Sequence, residues 1–234
     1  RTMGTPTATE RIDSLALLRL LQLVSPALPI GAFNFSQGME YAVEAGWIRD
    51  EEGVHGWILG VAQRGLGTLD LPVLARMHAA WSAGDPAAVG TLSRQLVASR
   101  ESLELREEDR HLGRALAKVL AGLDLPGASD WQRSEDATLA ATFSMAVVHG
   151  GVPLAATCQG YLWAWCESQM LAAVKLVPLG QTAGLRVLER LRTVIPAITE
   201  AALSVPDEDI GGAVPGFGIA SCRHETQYTR LFRS

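Results

Sequence analysis

The sequence has few cysteines and no excess of basic charge, and each shortage argues against a class of protein. Its only cysteines are Cys158, Cys166 and Cys222; the first two lie roughly 12 Å apart along a helix, too far for a disulfide. A sparse, odd count is typical of the reducing cytosol, so we expect a cytoplasmic protein. The net charge is -5, and without a basic stripe we expect no nucleic-acid partner.

The sequence also lacks a long uninterrupted apolar segment. No basic segment followed by an apolar run opens the chain, so we expect no secretion signal; the two residues before Met3 look like an expression remnant. Residues 137–166 contain no Asp, Glu, Lys or Arg. However, the Gly-Gly-Val-Pro turn at 150–153 divides them into halves that are each shorter than the roughly 20 residues of a membrane span. We expect two buried helices here and no membrane segment.

Apolar residues recur with helical spacing along most of the chain and make up 48% of it. Capping residues precede these segments and Gly or Pro follows them. The predicted helices cover about 14–24, 36–45, 50–61, 70–84, 86–123 with a break near 103–105, 134–149, 153–176, and 181–203 with a kink at Pro196. We find no strand pattern and no repeat. The prediction is an all-α, single-domain antiparallel bundle of about eight or more helices with an irregular C-terminal tail.

Three regions are expected along the chain: a flexible N-terminus at 1–12, a helical domain at 13–205, and a Gly/Pro linker with a partner-binding tail at 206–234. The last twelve residues contain three Arg and one Glu, and Arg and Tyr are enriched at interface hot spots. Tyr228, Leu231 and Phe232 would share one face if the tail became helical on binding. We expect such a tail to be mobile alone; the alternative is that it folds back over the chain's own helices.

Residues with the spacing of a catalytic or metal site are not found. His224-Glu225 begins like a zinc-protease motif, but position 228 is Tyr where a second His is needed. There is no phosphate-binding G-x-x-x-x-G-K-[ST] motif. The charged run at 100–114 is either a solvated helix face or a partner-binding face, and we expect Glu107, Glu108 and Asp109 to be solvated. The sequence therefore indicates a binding module with no enzymatic activity, no cofactor and no tightly bound metal.

Three segments resemble the UreF family of urease accessory proteins. Residues 25–48, SPALPIGAFNFSQGMEYAVEAGWI, are similar to the family's S-x-x-L-P-[VI]-G-x-[FY]-x-[FWY]-S-x-G-[LM]-E-x-A segment. Residues 170–181, MLAAVKLVPLGQ, are similar to A-x-x-K-L-V-P-[LF]-G-Q, and residues 220–234, ASCRHETQYTRLFRS, to A-S-x-R-H-E-x-Q-Y-[ST]-R-L-F-R-S. Weaker similarity, including Glu104-Leu-Arg-Glu-Glu108, fills the intervals, so the resemblance covers nearly everything after the first dozen residues.

The resemblance implies an all-α homodimer that acts as a scaffold in urease maturation. It implies a complex with the accessory protein UreD or UreH, recruitment of the GTPase UreG, and GTP-dependent delivery of nickel to apo-urease. The residues expected to bind partners are Phe33, Phe35, Ser36, Gln37, Glu40 and Tyr41 in the first segment, Lys175 in the second, and Arg223, His224, Glu225, Tyr228, Arg230, Leu231, Phe232 and Arg233 in the third. The alternative is a GTPase-activating protein that inserts Arg223, Arg230 or Arg233 into UreG as an arginine finger.

Overall fold

The computed structural model describes residues 12–234; residues 1–11, which make up most of the predicted flexible N-terminus, lie outside the described residues. The described chain contains α-helices and no strand, which confirms the all-α prediction. Its eleven helices are α1 (Ser14–Leu23), α2 (Met39–Glu44), α3 (Glu51–Val61), α4 (Asp70–Ser82), α5 (Pro86–Ala98), α6 (Leu103–Gly122), α7 (Ala128–Trp131), α8 (Leu139–His149), α9 (Leu154–Leu176), α10 (Gln181–Leu203) and α11 (Pro215–His224).

Local capping signals set the beginnings of several helices. The carboxylate of Asp13 accepts a hydrogen bond from the Leu15 amide at 3.1 Å and begins α1. In the same way Asp50 begins α3 and Asp85 begins α5, where Pro86 occupies the first turn. These side chains satisfy backbone N–H groups that have no partner inside the helix. Each capping Asp lies within three residues of the amide that it accepts from, so these helix starts were predictable from the local sequence.

The core is built around α8, which packs against α4 and α6. Every residue of α8 from position 140 to 147 is buried, as expected for the uncharged stretch. Helix α6 approaches the start of α8 so closely that a Cβ on Gly113 would lie 2.1 Å from the Ala137 carbonyl oxygen. Helices α9 and α10 pack side by side next to this layer. Within residues 12–234, the structure contains no helix of the length and apolar character that a membrane span requires.

Some element boundaries differ from the predicted ones. Helix α2 begins at Met39 rather than near Ser36, because Gln37 and Gly38 have positive φ angles of 52° and 79° that a right-handed helix does not allow. Helix α8 begins at Leu139 rather than near 134. The Thr138 side chain caps this start by accepting a hydrogen bond from the Ala141 amide. The region predicted as a loop at 125–130 contains the start of the short helix α7.

Helix α1 presents leucines to solvent as well as to the core. Ala16, Leu20 and Leu23 are buried against the neighbouring helices. Of the apolar residues whose spacing predicted the helix, Leu15, Leu18 and Leu21 are more than half exposed, whereas Leu23 is buried. The spacing therefore identified the helix correctly but only one residue, Leu23, of its inward face.

The C-terminal region folds back onto the chain's own helices, the second of the two arrangements considered for it. Gly211 donates its amide to the Thr68 carbonyl at 3.0 Å, so the Gly/Pro stretch is attached to the core rather than free of it. Helix α11 lies in the region predicted to be irregular, packs against α2 and α6, and buries Phe217 and His224. Residues 225–234, here called the strap, then run along α2 without forming a helix, from Glu44, which accepts from Gln227, to Glu40, which accepts from Leu231 and Phe232. Phe217 and Phe232 are buried within the chain, whereas Tyr228 and Leu231 remain exposed, so in this structure the region takes the folded-back arrangement with part of its apolar surface uncovered.

Candidate functional site

The three segments that carry the family resemblance meet at one end of the molecule. Ser36 donates both its amide and its hydroxyl to the backbone oxygen of Ser234, at 2.7 and 2.6 Å. The Arg233 amide donates to the Asn34 carbonyl at 2.8 Å. The Lys175 ammonium lies 5.4 Å from the centre of the Phe232 ring, within cation–π range. Residues almost 200 positions apart thus form one site.

Glu40, on α2, is the main anchor of the strap. Its carboxylate is buried and accepts backbone hydrogen bonds from Leu231 at 2.6 Å and from Phe232 at 2.9 Å. A buried carboxylate is stable only when its oxygens have such partners. Glu40 was predicted to touch a partner protein; the structure places it beneath the strap instead, where it fixes the backbone of two residues.

His224, the last residue of α11, lies fully buried between two carboxylates. Its Nδ1 is 2.7 Å from Glu104 Oε2, and its Nε2 is 3.2 Å from Glu40 Oε2. Each ring nitrogen that carries a hydrogen donates it to the carboxylate it faces. Glu104 also accepts from the Arg230 guanidinium at 2.7 Å. The histidine therefore joins α2, α6 and α11, and the arginine adds the strap to the same network.

Glu108, on α6, holds the end of the strap. It accepts hydrogen bonds from the Ser234 hydroxyl and from the Gln37 amide, each at 2.7 Å. Trp165 of α9 donates to the Gln37 oxygen at 2.8 Å and orients that amide. Burial raises the pKa of Glu108 to about 7, and the two donated hydrogen bonds only partly offset this effect. The site thus contains a carboxyl group that titrates near neutral pH.

A second buried group of charges lies next to Glu108. The guanidinium of Arg100 contacts Asp70 at 2.5 Å and Asp109 at 2.7 Å. Burial raises the pKa of Asp109, and Arg100 opposes that rise. The prediction that Glu108 and Asp109 are solvated was wrong, because both lie on the inner face of α6. Glu107 is exposed as predicted and pairs with Arg110 at 3.3 Å.

The close approach of α11 to α2 depends on Gly38. Its φ of 79° lies in the left-handed region. A Cβ at this position would lie 2.6 Å from the backbone nitrogen of Ser221. Glycine is therefore needed both for the turn into α2 and for the backbone contact with α11. This contact places His224 within reach of Glu40.

The predicted partner-binding residues divide into a buried set and an exposed set. The buried residues are Phe35, Ser36, Glu40, His224 and Phe232, and Gln37 and Tyr41 are partly buried. The exposed residues are Phe33, Lys175, Arg223, Glu225, Tyr228, Arg230, Leu231 and Arg233. Among these, Glu225 also accepts from the Leu103 amide at 2.6 Å and stabilises the start of α6. The buried set fixes the backbone that presents the exposed set.

Sequence reasoning missed Glu104, Glu108 and Ser234 as members of this site. The signal for the first two was present, since Glu104-Leu-Arg-Glu-Glu108 is among the stretches of weaker family similarity. No local pattern connects Ser234 with Ser36, because their contact spans 198 positions. Within the described range of 12–234, no group of three or more His, Cys, Asp or Glu side chains has an arrangement that could hold a metal ion.

Comparison with known proteins supplies the family. The UreF family model matches residues 48–192. The urease accessory protein UreF of Alkalilimnicola ehrlichii is 49% identical over 227 residues, covering 97% of this chain and 100% of that protein. The chain belongs to the UreF family of urease accessory proteins.

Two further UreF proteins match over similar lengths. The protein of Hahella chejuensis is 45% identical over 220 residues, which cover 94% of this chain and 99% of that protein. The protein of Pseudomonas putida strain KT2440 is 47% identical over 222 residues, 95% of this chain and 99% of that protein. The family model spans α3 to the first half of α10 in this UreF-family chain, whereas the strap and α2 lie outside it.

Proposed function

We propose that this chain is a non-enzymatic scaffold of urease maturation. In this proposal it joins UreD, or its equivalent UreH, to the GTPase UreG, and the assembly inserts nickel into apo-urease at the expense of GTP. Membership of the UreF family supports the general role. The proposed location is the cytoplasm and the proposed form is a homodimer. All three cysteines are free thiols in the structure, as a reducing compartment requires.

The observation that carries the proposal is the exposed face of the strap. Tyr228 is fully exposed and Leu231 is 64% exposed, yet the adjacent backbone is fixed by buried hydrogen bonds to Glu40. Two large apolar side chains in solvent do not stabilise the monomer, whereas a fixed backbone lowers the entropic cost of binding. Arg223 precedes them and Arg233 follows them along the chain, and Phe33 lies by Lys175, whose ammonium also contacts the Phe232 ring. The segment thus has the mixture of aromatic and Arg residues typical of hot spots. We assign this face to UreD.

The proposal is tested by reconstitution from purified components. UreD and UreG are passed through a size-exclusion column with and without this protein, and each fraction is assayed for activation of apo-urease by nickel and GTP. We expect the two partners to elute together, and urease to be activated, only when this protein is present. Co-elution of UreD and UreG without it, or failure of this protein to join either one, would contradict the scaffold role.

The alternative function is activation of the UreG GTPase by an arginine finger. The structure separates the three candidate arginines: Arg230 is paired with Glu104, and Arg233 lies 5.6 Å from the Phe35 ring centre. Arg223 is exposed at the end of α11 and has no ion-pair partner within residues 12–234. Arg223 is therefore the candidate that is free to enter a nucleotide site.

Single-turnover hydrolysis distinguishes the two functions. An arginine finger raises the GTPase rate by ~10³ or more, so Arg223→Ala would remove that increase and Arg223→Lys would not restore it. The scaffold proposal predicts that the rate of bound UreG is the same with wild-type protein and with Arg223→Ala. A large loss with this variant, at unchanged UreG binding, would favour the alternative.

A further inference from the structure

A shallow groove lies on the outer side of α6 and adjoins the strap at Arg233, which lies close to His111. The loop at 29–31 forms one wall, and the other wall is a single stripe of α6 that consists of His111, Ala115, Lys118 and Gly122. Their spacing of i, i+4, i+7 and i+11 keeps them on one side of the helix over three turns, roughly 16 Å. This is the length of a short helix of about eleven residues.

The lining of the groove is apolar. Ile30 contributes from the loop, and Ala115 and Val119 are half-buried along its length. Leu123, at the far end, is 50% exposed although it is a large aliphatic side chain. Small residues at 115 and 122 leave the stripe concave. An apolar channel of this shape suits the apolar face of an amphipathic helix, a common form of helix-in-groove recognition.

The rim of the groove is basic on a protein that is acidic overall. Lys118 lies at its middle, and no ion pair involving Lys118 or Arg233 is found in the described part of the chain. Arg233 lies close enough to His111 to lower the pKa of that imidazole, in addition to the larger effect of burial. Nearby acids are few: Glu107 is engaged by Arg110, and Asp124 lies beyond Leu123 at the far end.

We propose that this groove binds an acidic amphipathic helix of a partner protein in the urease maturation complex. The inference rests on the proposed scaffold function, since it requires a second docking surface beside the strap. Apolar side chains of the partner helix fill the channel, and its Asp or Glu residues face Lys118 and Arg233. Two copies of the groove placed face to face would oppose like charges, so charge complementarity favours a different protein over a second copy of this chain.

Two variants test the groove by different physical means. Lys118→Glu reverses the charge at its middle, and Ala115→Trp fills the channel without a change in charge. Arg64→Glu is the matched control, because Arg64 is exposed on the turn after α3, near Thr68. Each protein is titrated into separately immobilised UreD and UreG at low and high salt. Melting temperature and light scattering establish that each variant is folded and report its oligomeric state.

We expect both groove variants to bind one of the two partners at least about tenfold more weakly, as expected for loss of a hot spot, while Arg64→Glu binds like wild type. The salt dependence of Lys118→Glu should be weaker than that of wild type. If both groove variants bound both partners with wild-type affinity, the groove proposal would be overturned and the scaffold proposal would stand. A change of oligomeric state in the groove variants would instead assign the groove to a second copy. If the wild-type protein bound neither UreD nor UreG, both the groove proposal and the scaffold proposal would be overturned.

Discussion

At the residue scale, the site depends on carboxylates that are buried and fully hydrogen-bonded. Glu40 accepts two backbone amides of the strap and faces His224. In Glu40→Gln one acceptor oxygen becomes an NH₂ group, which faces N–H donors and cannot accept from them. We expect a loss of about 2 kcal/mol in the free energy of unfolding, typical of a hydrogen bond to a charged group. Urea denaturation of the two proteins measures it, and an equal midpoint would show that the strap is not held through Glu40.

Glu108 makes a pH-dependent contribution at the same scale. Its pKa is raised from 4.5 to about 7 in the folded protein, so the folded state favours the protonated form. The stability associated with this proton is complete below about pH 4.5 and is lost as the pH rises towards 7. Full loss of this contribution lowers the free energy of unfolding by on the order of 3 kcal/mol. We expect Glu108→Gln to reduce the fall in urea midpoint between pH 5 and pH 7; an identical fall in both proteins would show that another group is responsible.

At the scale of elements, the contact between α2 and α11 determines where the strap begins. Gly38→Ala introduces both left-handed strain and a collision with the backbone of Ser221. Gly84→Ala is the matched control, because its φ is 70° and the space around it is open. We expect about 1 kcal/mol of destabilisation for the control and roughly 2–4 kcal/mol for Gly38→Ala. Equal losses, measured by thermal or urea unfolding, would mean that the close approach of the two helices is unimportant.

The same scale shows which elements the sequence could predict. Helices α1, α3 and α5 were predicted because a capping Asp stands next to each start, and α10 because its apolar spacing is regular. Helix α11 was missed because the Gly/Pro content around it indicates a linker, while its stability comes from long-range contacts such as the burial of His224. Long-range contacts also decide which residues of the candidate site are buried. Family motifs identified most of these residues, but only the fold shows that Glu40 and His224 are buried and that Tyr228 is exposed.

At the scale of the whole molecule, buried and exposed residues at the strap have separate roles. The internal network stabilises one conformation of the backbone, and the exposed side chains are available for a partner. Binding then needs little ordering of the segment, in contrast to a disordered tail that must fold on its partner. Variants of exposed side chains should therefore reduce binding without reducing stability, whereas variants of the buried network should reduce both.

The most direct measurement of the central claim is the affinity of UreD for Leu231→Ser and for its matched control Leu185→Ser. The two leucines are 64% and 67% exposed, and Leu185 belongs to α10 and not to the strap. Both variants should melt at the temperature of the wild type, because neither side chain is packed in the core. We predict that Leu231→Ser weakens the affinity for UreD by about tenfold or more and that Leu185→Ser leaves it unchanged. Equal affinity of both variants and the wild type would contradict the claim that the strap is the surface that binds UreD.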